Sequence, residues 1–238
     1  MKILSIGNSF SQDAHRWIHK LAAQNGLEIE TANLYIGGCS LDMHWDCYIN
    51  NHAFYDLELN GNLPERKISI KEALDMEKWD IITLQQSSPF SGMIESYEPY
   101  LTSLANIIKT QQPQADIYFH QTWSYEIDFN NINFETYNNN QREMFEKIKF
   151  ASEKAAESIG AKIIPTGTVI QKLRETVEEF NYKNDGLSLC RDGYHLSLNY
   201  GRYAAAATWI YTITGQKVKV AAFEDFNISL LEKIINAI

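Results

Sequence analysis

The chain has 238 residues, 45% hydrophobic and 21% charged, with a formal net charge of -9. That apolar content argues against disorder, and the acidity argues against nucleic-acid binding, which needs Lys and Arg to neutralise phosphates. No apolar run reaches the roughly 18 residues of a membrane span.

The opening residues Met1–Phe10 carry one Lys and a short apolar run. The run is too short for a secretory leader with its cleavage site. As the chain stands this points to the cytoplasm, and to the periplasm or the outside if a leader has been removed. Lys2–Ile6 then reads as a first strand ending at Gly7. Ser11–Gln24 follows as a helix, with Trp17, Ile18 and Leu21 at helical spacing. Leu27–Ile36 is a second strand that runs into Gly37-Gly38. The stretch 46–70 holds the turn signal Asn60-Gly61-Asn62 and reads as a hairpin or an irregular excursion.

Further strands are expected at Asp80–Leu84, Ala115–His120 and Ala161–Ile164. Between them, Tyr97–Gln111 and Asn140–Ile159 repeat apolar residues at i, i+3, i+4 and i+7 and predict helices. Ser197–Thr214 and Ser229–Ile238 are two more. Residues 125–140 are Asn-rich and aperiodic, a solvated connection or a binding loop. Alternation of apolar strands with helices implies a parallel sheet covered on both faces. The expected architecture is one domain over residues 1–238, a three-layer α/β/α sandwich on a mainly parallel five-stranded sheet.

In such sheets ligands bind beyond the carboxyl ends of the strands. Gly7-Asn8-Ser9-Phe10-Ser11 lies at the first such end. A serine there sits at a helix start, where free N–H groups and the helix dipole stabilise a developing oxyanion. The same residues also suit plain helix capping. Near the other terminus, Asp192-Gly193-Tyr194-His195 sets a carboxylate three residues before an imidazole, close enough to orient it as a general base. Alone, that segment also fits a turn aspartate and a histidine near a helix.

Taken together, a first-strand Gly-Asn-Ser-Phe-Ser and a late Asp-x-x-His resemble the SGNH (GDSL-like) hydrolases, in particular a bacterial branch whose first block reads Gly-Asn-Ser-Phe-Ser. The resemblance spans nearly the whole chain in block order. It implies a flavodoxin-like fold and a catalytic triad of Ser9, Asp192 and His195. It also implies an oxyanion hole from the N–H groups of Ser9 and Gly38 and an asparagine after the third strand. This sequence departs there, offering Gln85 and Gln86, whose amides can donate the same bond. Strand alternation lets one of the two face the site, with Gln86 favoured over Gln85.

The implied activity is ester hydrolysis without cofactor or metal. The partner is a small-molecule or carbohydrate ester, with neither nucleic acid nor membrane involved. Polar and aromatic residues near the strand ends favour a short acyl group, O-acetyl above all, on a carbohydrate. Trp123, His120 and Trp45 are the expected substrate contacts.

Two other readings stand beside this one. A metal-dependent hydrolase would draw on His44, Asp46, His120 and His195, and a carbohydrate-binding protein would keep the fold without turnover. His15 and His19 lie four apart but lack the intervening Glu of a zinc-peptidase helix and read as a solvated face. Cys39, Cys47 and Cys190 form no CxxC pair; a Cys39–Cys47 bridge and free buried thiols are both open.

Overall fold

The computed structural model of the protein describes residues 1–62 and 66–238. The elements run β1 (Lys2–Gly7), α1 (Ser9–Gln24), β2 (Glu30–Tyr35), α2 (Leu41–Ile49), β3 (Tyr55–Leu59), β4 (Arg66–Ile68), α3 (Ile70–Met76) and β5 (Ile81–Leu84). They continue with α4 (Tyr100–Gln111), β6 (Asp116–His120), the single turn α5 (Ile132–Glu135), α6 (Gln141–Ile159), β7 (Lys162–Ile164), α7 (Thr166–Thr176), α8 (Tyr200–Thr214) and α9 (Ile228–Ala237).

Among the described residues the sheet has seven strands in the order β4-β3-β2-β1-β5-β6-β7, not five. The five expected strands are the parallel ones, β1, β2, β5, β6 and β7. The two extra strands come from the 46–70 stretch. β3 lies antiparallel on the free edge of β2, and β4 pairs antiparallel with β3. β4 is the edge strand and β3 lies between it and β2. Both are short and carry charged residues, Asp56 and Glu58 on β3 and Arg66 and Lys67 on β4, so they lack the continuous apolar signature of the central strands. Residues 63–65, inside that stretch, lie outside the described residues. Helices α2, α3 and α7, and the single turn α5 within the expected 125–140 loop, are also additional to the expected set.

The pleat sorts side chains between two cores. On β1, Ile3 joins the core under α1, α8 and α9, while Leu4 and Ile6 join the opposite core with Leu101, Leu104 and Ile108 of α4. On β5, Ile82 and Leu84 face the α4 side. Thr83 faces the other way, where its hydroxyl meets Ser5 at 2.7 Å, and Ser5 meets His15 of α1 at the same distance. Burying each Leu or Ile contributes about 1.5–3 kcal/mol, so two filled cores fix the sheet between its helices. The strand ends that carry the candidate site are therefore held from both faces. Cys39, Cys47 and Cys190 are buried free thiols. Among the described residues no helix is long and apolar enough to cross a membrane.

Candidate active site

The site begins where β1 turns into α1. Asn8 caps the helix: its Oδ1 accepts from the Phe10 N–H at 3.0 Å, and Ser11 Oγ accepts from the Asn8 N–H at 3.1 Å. Asn8 does a second job. Its Nδ2 donates to the Cys39 carbonyl at 2.9 Å, and its Oδ1 also accepts from Gln85 Nε2 at 2.7 Å. One side chain thus ties together the exits of β1, β2 and β5. Ser9, as the first residue of α1, rides on that knot.

Ser9 Oγ lies 2.9 Å from His195 Nε2, and His195 Nδ1 lies 2.7 Å from Asp192 Oδ2. Asp192 Oδ1 also accepts the backbone N–H groups of His195, at 2.8 Å, and Tyr194, at 3.3 Å. Burial raises the Asp192 pKa, but the His195 ring bond and these two N–H bonds outweigh it and hold the carboxyl below its usual range. An ionised carboxylate only accepts, so Nδ1 carries the imidazole proton. The lone pair of Nε2 then faces the Ser9 hydroxyl, the arrangement in which a neutral imidazole can take that proton.

The 191–196 segment is anchored to α1 by Asp13, which is fully buried. Its carboxylate accepts from Arg191 at 2.9 and 3.1 Å, from Arg202 Nε at 2.8 Å and from the Leu196 N–H at 2.8 Å. Arg191 N–H also donates to the His195 carbonyl at 2.9 Å. The two halves of the constellation, 186 residues apart in sequence, are joined at this carboxylate.

Gly38 takes φ +68, a left-handed conformation open to glycine at no steric cost. Among the described residues, neither its N–H nor that of Ser9 has a hydrogen-bond partner. Both residues line a cleft of about 350 Å³ with Asn8, Phe10, Tyr35 and His195. The lining also holds Ser88, Tyr125, Phe129, Asn131, Asn133 and Tyr194. Phe129 covers Gly193, where a Cβ would come within 2.2 Å of the ring. Glu126 N–H donates to the Gly193 carbonyl at 2.7 Å, so the 125–140 segment is bonded directly onto the Asp192–His195 turn.

Residues 2–235 match the family described as Domain of unknown function (DUF4886). A crystal structure of a DUF4886 family protein from Bacteroides uniformis is 37% identical and superposes with a TM-score of 0.92, covering 100% of this chain and 92% of that one. The chain belongs to the DUF4886 family. Two more distant structures share its fold. One is a Slackia heliotrinireducens protein proposed to be an SGNH hydrolase, at 22% identity and TM-score 0.63, covering 90% of this chain and 98% of that one. The other is a catalytic mutant of an acetylxylan esterase from Geobacillus stearothermophilus, at 15% identity and TM-score 0.57, covering 92% and 97%. The fold is that of SGNH hydrolases. Among curated protein sequences, none matches this chain.

In this DUF4886 chain Ser9, Asp192, His195 and Gly38 come together, but other expected contacts stand elsewhere. Neither glutamine faces the cleft. Gln85 Nε2 is spent on Asn8, and its Oε1 accepts from His120 Nδ1 at 2.7 Å. Gln86 Oε1 accepts from the N–H groups of Leu41 and Ser87, and its Nε2 donates to the carbonyl and hydroxyl of Ser96. The pair does point to opposite sides of the sheet, yet both sides are packed interior, and both amides act as joints between loops.

Trp123 and His120 are fully buried beneath the site, not beside a substrate. Trp123 stacks on Phe10 at 4.2 Å between ring centroids and donates from Nε1 to the Tyr194 carbonyl at 2.7 Å. It supports the floor of the cleft. His120 is held between Gln85 and Thr166. Trp45 lies on α2, in a separate depression with Met43, His52 and Phe54.

His44 is bonded to Tyr55 in the core at 2.8 Å. Among the described residues no three His, Cys, Asp or Glu side chains form a group able to hold a metal, and His44, Asp46, His120 and His195 do not meet. Besides Phe10, the aromatic residues that line the cleft are Tyr35, Tyr125, Phe129 and Tyr194. Each had a local signal: Tyr35 precedes Gly37, Tyr194 sits inside Asp-Gly-Tyr-His, and Tyr125 and Phe129 open the aperiodic 125–140 segment.

Proposed function

We propose that this DUF4886 chain is a serine ester hydrolase that removes short acyl groups, O-acetyl above all, from carbohydrates. The observation that carries the reading is the continuous chain Ser9 Oγ–His195 Nε2–His195 Nδ1–Asp192 at 2.9 and 2.7 Å, set at the N-terminus of α1. In the first step Ser9 Oγ attacks the ester carbonyl carbon while His195 Nε2 takes its proton. The carbonyl π electrons move onto oxygen, toward the free N–H groups of Ser9 and Gly38. Collapse breaks the bond to the alcohol, which leaves with the proton held on His195. Water, deprotonated by the same nitrogen, then attacks the acyl-Ser9 ester, and Ser9 regains its proton as the acid departs. Asp192 keeps the imidazole in the required tautomer and offsets its positive charge.

The acyl and alcohol classes follow from the cleft. A volume of about 350 Å³ is at the small end for ligand sites. The rings of Phe10, Tyr35, Tyr125, Phe129 and Tyr194 beside the amides of Asn131 and Asn133 suit a sugar, which offers apolar ring faces and hydroxyl edges together. The fold likeness to acetylxylan esterases is in keeping with this reading. The test is turnover on p-nitrophenyl esters of increasing chain length and on acetylated oligosaccharides. The expected result is highest kcat/KM for acetate, with acetate released from the sugar. A preference for long chains contradicts the proposed substrate class.

A further inference from the structure

We propose that Ser88 supplies the third hydrogen bond to the oxyanion, with Tyr125 as the residue that polarises it. The inference rests on the hydrolase reading above and deepens the same site. The strand order sets β1 between β2 and β5, so the turns after these strands flank Ser9. Gly38 follows β2 and Ser88 follows β5, and both line the cleft with Ser9. The glutamines on that β5 exit are spent elsewhere. The Asn8 amide is spent on Cys39.

Ser88 Oγ and Tyr125 OH are 3.1 Å apart, and among the described residues each hydroxyl has the other as its hydrogen-bond partner. Two hydroxyls hold two protons, and a bond between them uses one. Either hydroxyl can donate; a phenol is the more acidic group and the stronger donor, so in the proposed arrangement Tyr125 donates to Ser88 Oγ. The Ser88 proton is left over and free to point into the cleft. Accepting from Tyr125 strengthens Ser88 as a donor, because hydrogen bonds in series polarise one another. Burial pushes the Tyr125 pKa up to about 12, which keeps its proton in place.

The other donors on the cleft wall are wetter. Tyr35 and Asn131 are half-buried and Asn133 is exposed, whereas Ser88 and Tyr125 are buried. A donor already bonded to water is worth less to a developing charge than a dry, preorganised one. Ser87 is a useful contrast. Its hydroxyl is buried and has no partner among the described residues, but Ser87 does not line the cleft.

The experiment compares kcat and KM on p-nitrophenyl acetate, and the rate of fluorophosphonate labelling at Ser9, in wild type and folded variants. Ser88→Ala is expected to lower kcat by about 10²–10³-fold, the usual loss for one oxyanion donor, with KM little changed. Ser88→Cys, which keeps the bulk but donates weakly, should lose comparably, and Ser88→Thr should recover most of the rate. Tyr125→Phe should lose less, and adding it to Ser88→Ala should cost nothing further. Wild-type kcat in Ser88→Ala, or a rise in KM alone, overturns the role of Ser88. So does a loss that appears on Ser87→Ala instead. A wild type that neither turns over the ester nor labels at Ser9 brings down the hydrolase reading and this role together, whereas an active wild type with an unaffected Ser88→Ala brings down this role alone.

Discussion

Asp13 lies one helical turn beyond Ser9 on α1, and its buried carboxylate accepts the backbone N–H of Leu196, the residue after His195. The helix that presents the serine is thus bolted to the segment that presents the histidine. The same carboxylate carries Arg191 and Arg202. Asp13→Asn removes the charge that both guanidiniums face and leaves an amide that cannot accept as many bonds. Breaking a buried ion pair from one side costs about 3–5 kcal/mol, and a loss toward the lower end is expected because both arginines keep some solvent contact. Urea unfolding of the variant measures it. A change below about 1 kcal/mol, the scale of a surface pair, contradicts the anchoring role.

Gly193 sits between Asp192 and His195 at φ +88, with the Phe129 ring over the place a Cβ would occupy. Gly193→Ala meets two obstacles, the left-handed backbone and the ring. The backbone costs about 1–2 kcal/mol. The contact displaces either Phe129 or the turn that holds His195. The expected outcome is lower stability and lower kcat. Adding Phe129→Ala should restore part of the activity by removing the clash, while the backbone cost remains. If the double variant is no more active than Gly193→Ala, Phe129 is not what fills that space.

The locally encoded part of the candidate site, a short spacing and a strand end, is the part legible in the sequence. Asp192 and His195 are three residues apart and Ser9 stands at a strand end, yet each segment alone also fits capping or a turn, and only the two together resemble a hydrolase triad. Gln85 and Gln86 show where that reasoning stops. Their partners, Asn8, His120, Leu41 and Ser96, come from four other segments, and an amide gives no sign of which partners the fold will bring to it. Trp123 shows the same limit for aromatics: a ring that stacks under Phe10 and a ring that meets a sugar look alike in sequence. The central parallel strands declared themselves as apolar runs. β3 and β4 did not, because both interleave charged residues: Arg66 and Lys67 of the edge strand β4 face solvent, and Glu58 of β3 is buried against Gln12 and Asn33 of other segments.

His15, His44 and His120 are fully buried, and burial pushes each down to about 3 from the usual 6.5. Each is neutral in the fold and protonates more readily when unfolded. Between those two values the unfolded chain binds more protons, so stability rises with pH and is lost as pH falls. Each histidine contributes a slope of up to about 1.4 kcal/mol per pH unit in that window. Glu58, raised by burial, works in the opposite direction with a single proton. Net stability should therefore drop between about pH 7 and about pH 5. Thermal unfolding across that range checks it, and a Tm that stays flat or rises on acidification contradicts the burial of three neutral imidazoles.

The central claim is that Ser9 is a nucleophile activated by His195 and Asp192. Incubation with a fluorophosphonate, followed by peptide mapping, tests it most directly. The expected result is a single phosphonylated residue, Ser9, formed in step with loss of esterase activity. In His195→Ala the labelling rate should fall by several orders of magnitude, about the cost of losing a triad member. A folded protein that stays unlabelled, or one labelled on another serine while Ser9→Ala keeps full turnover, contradicts the account.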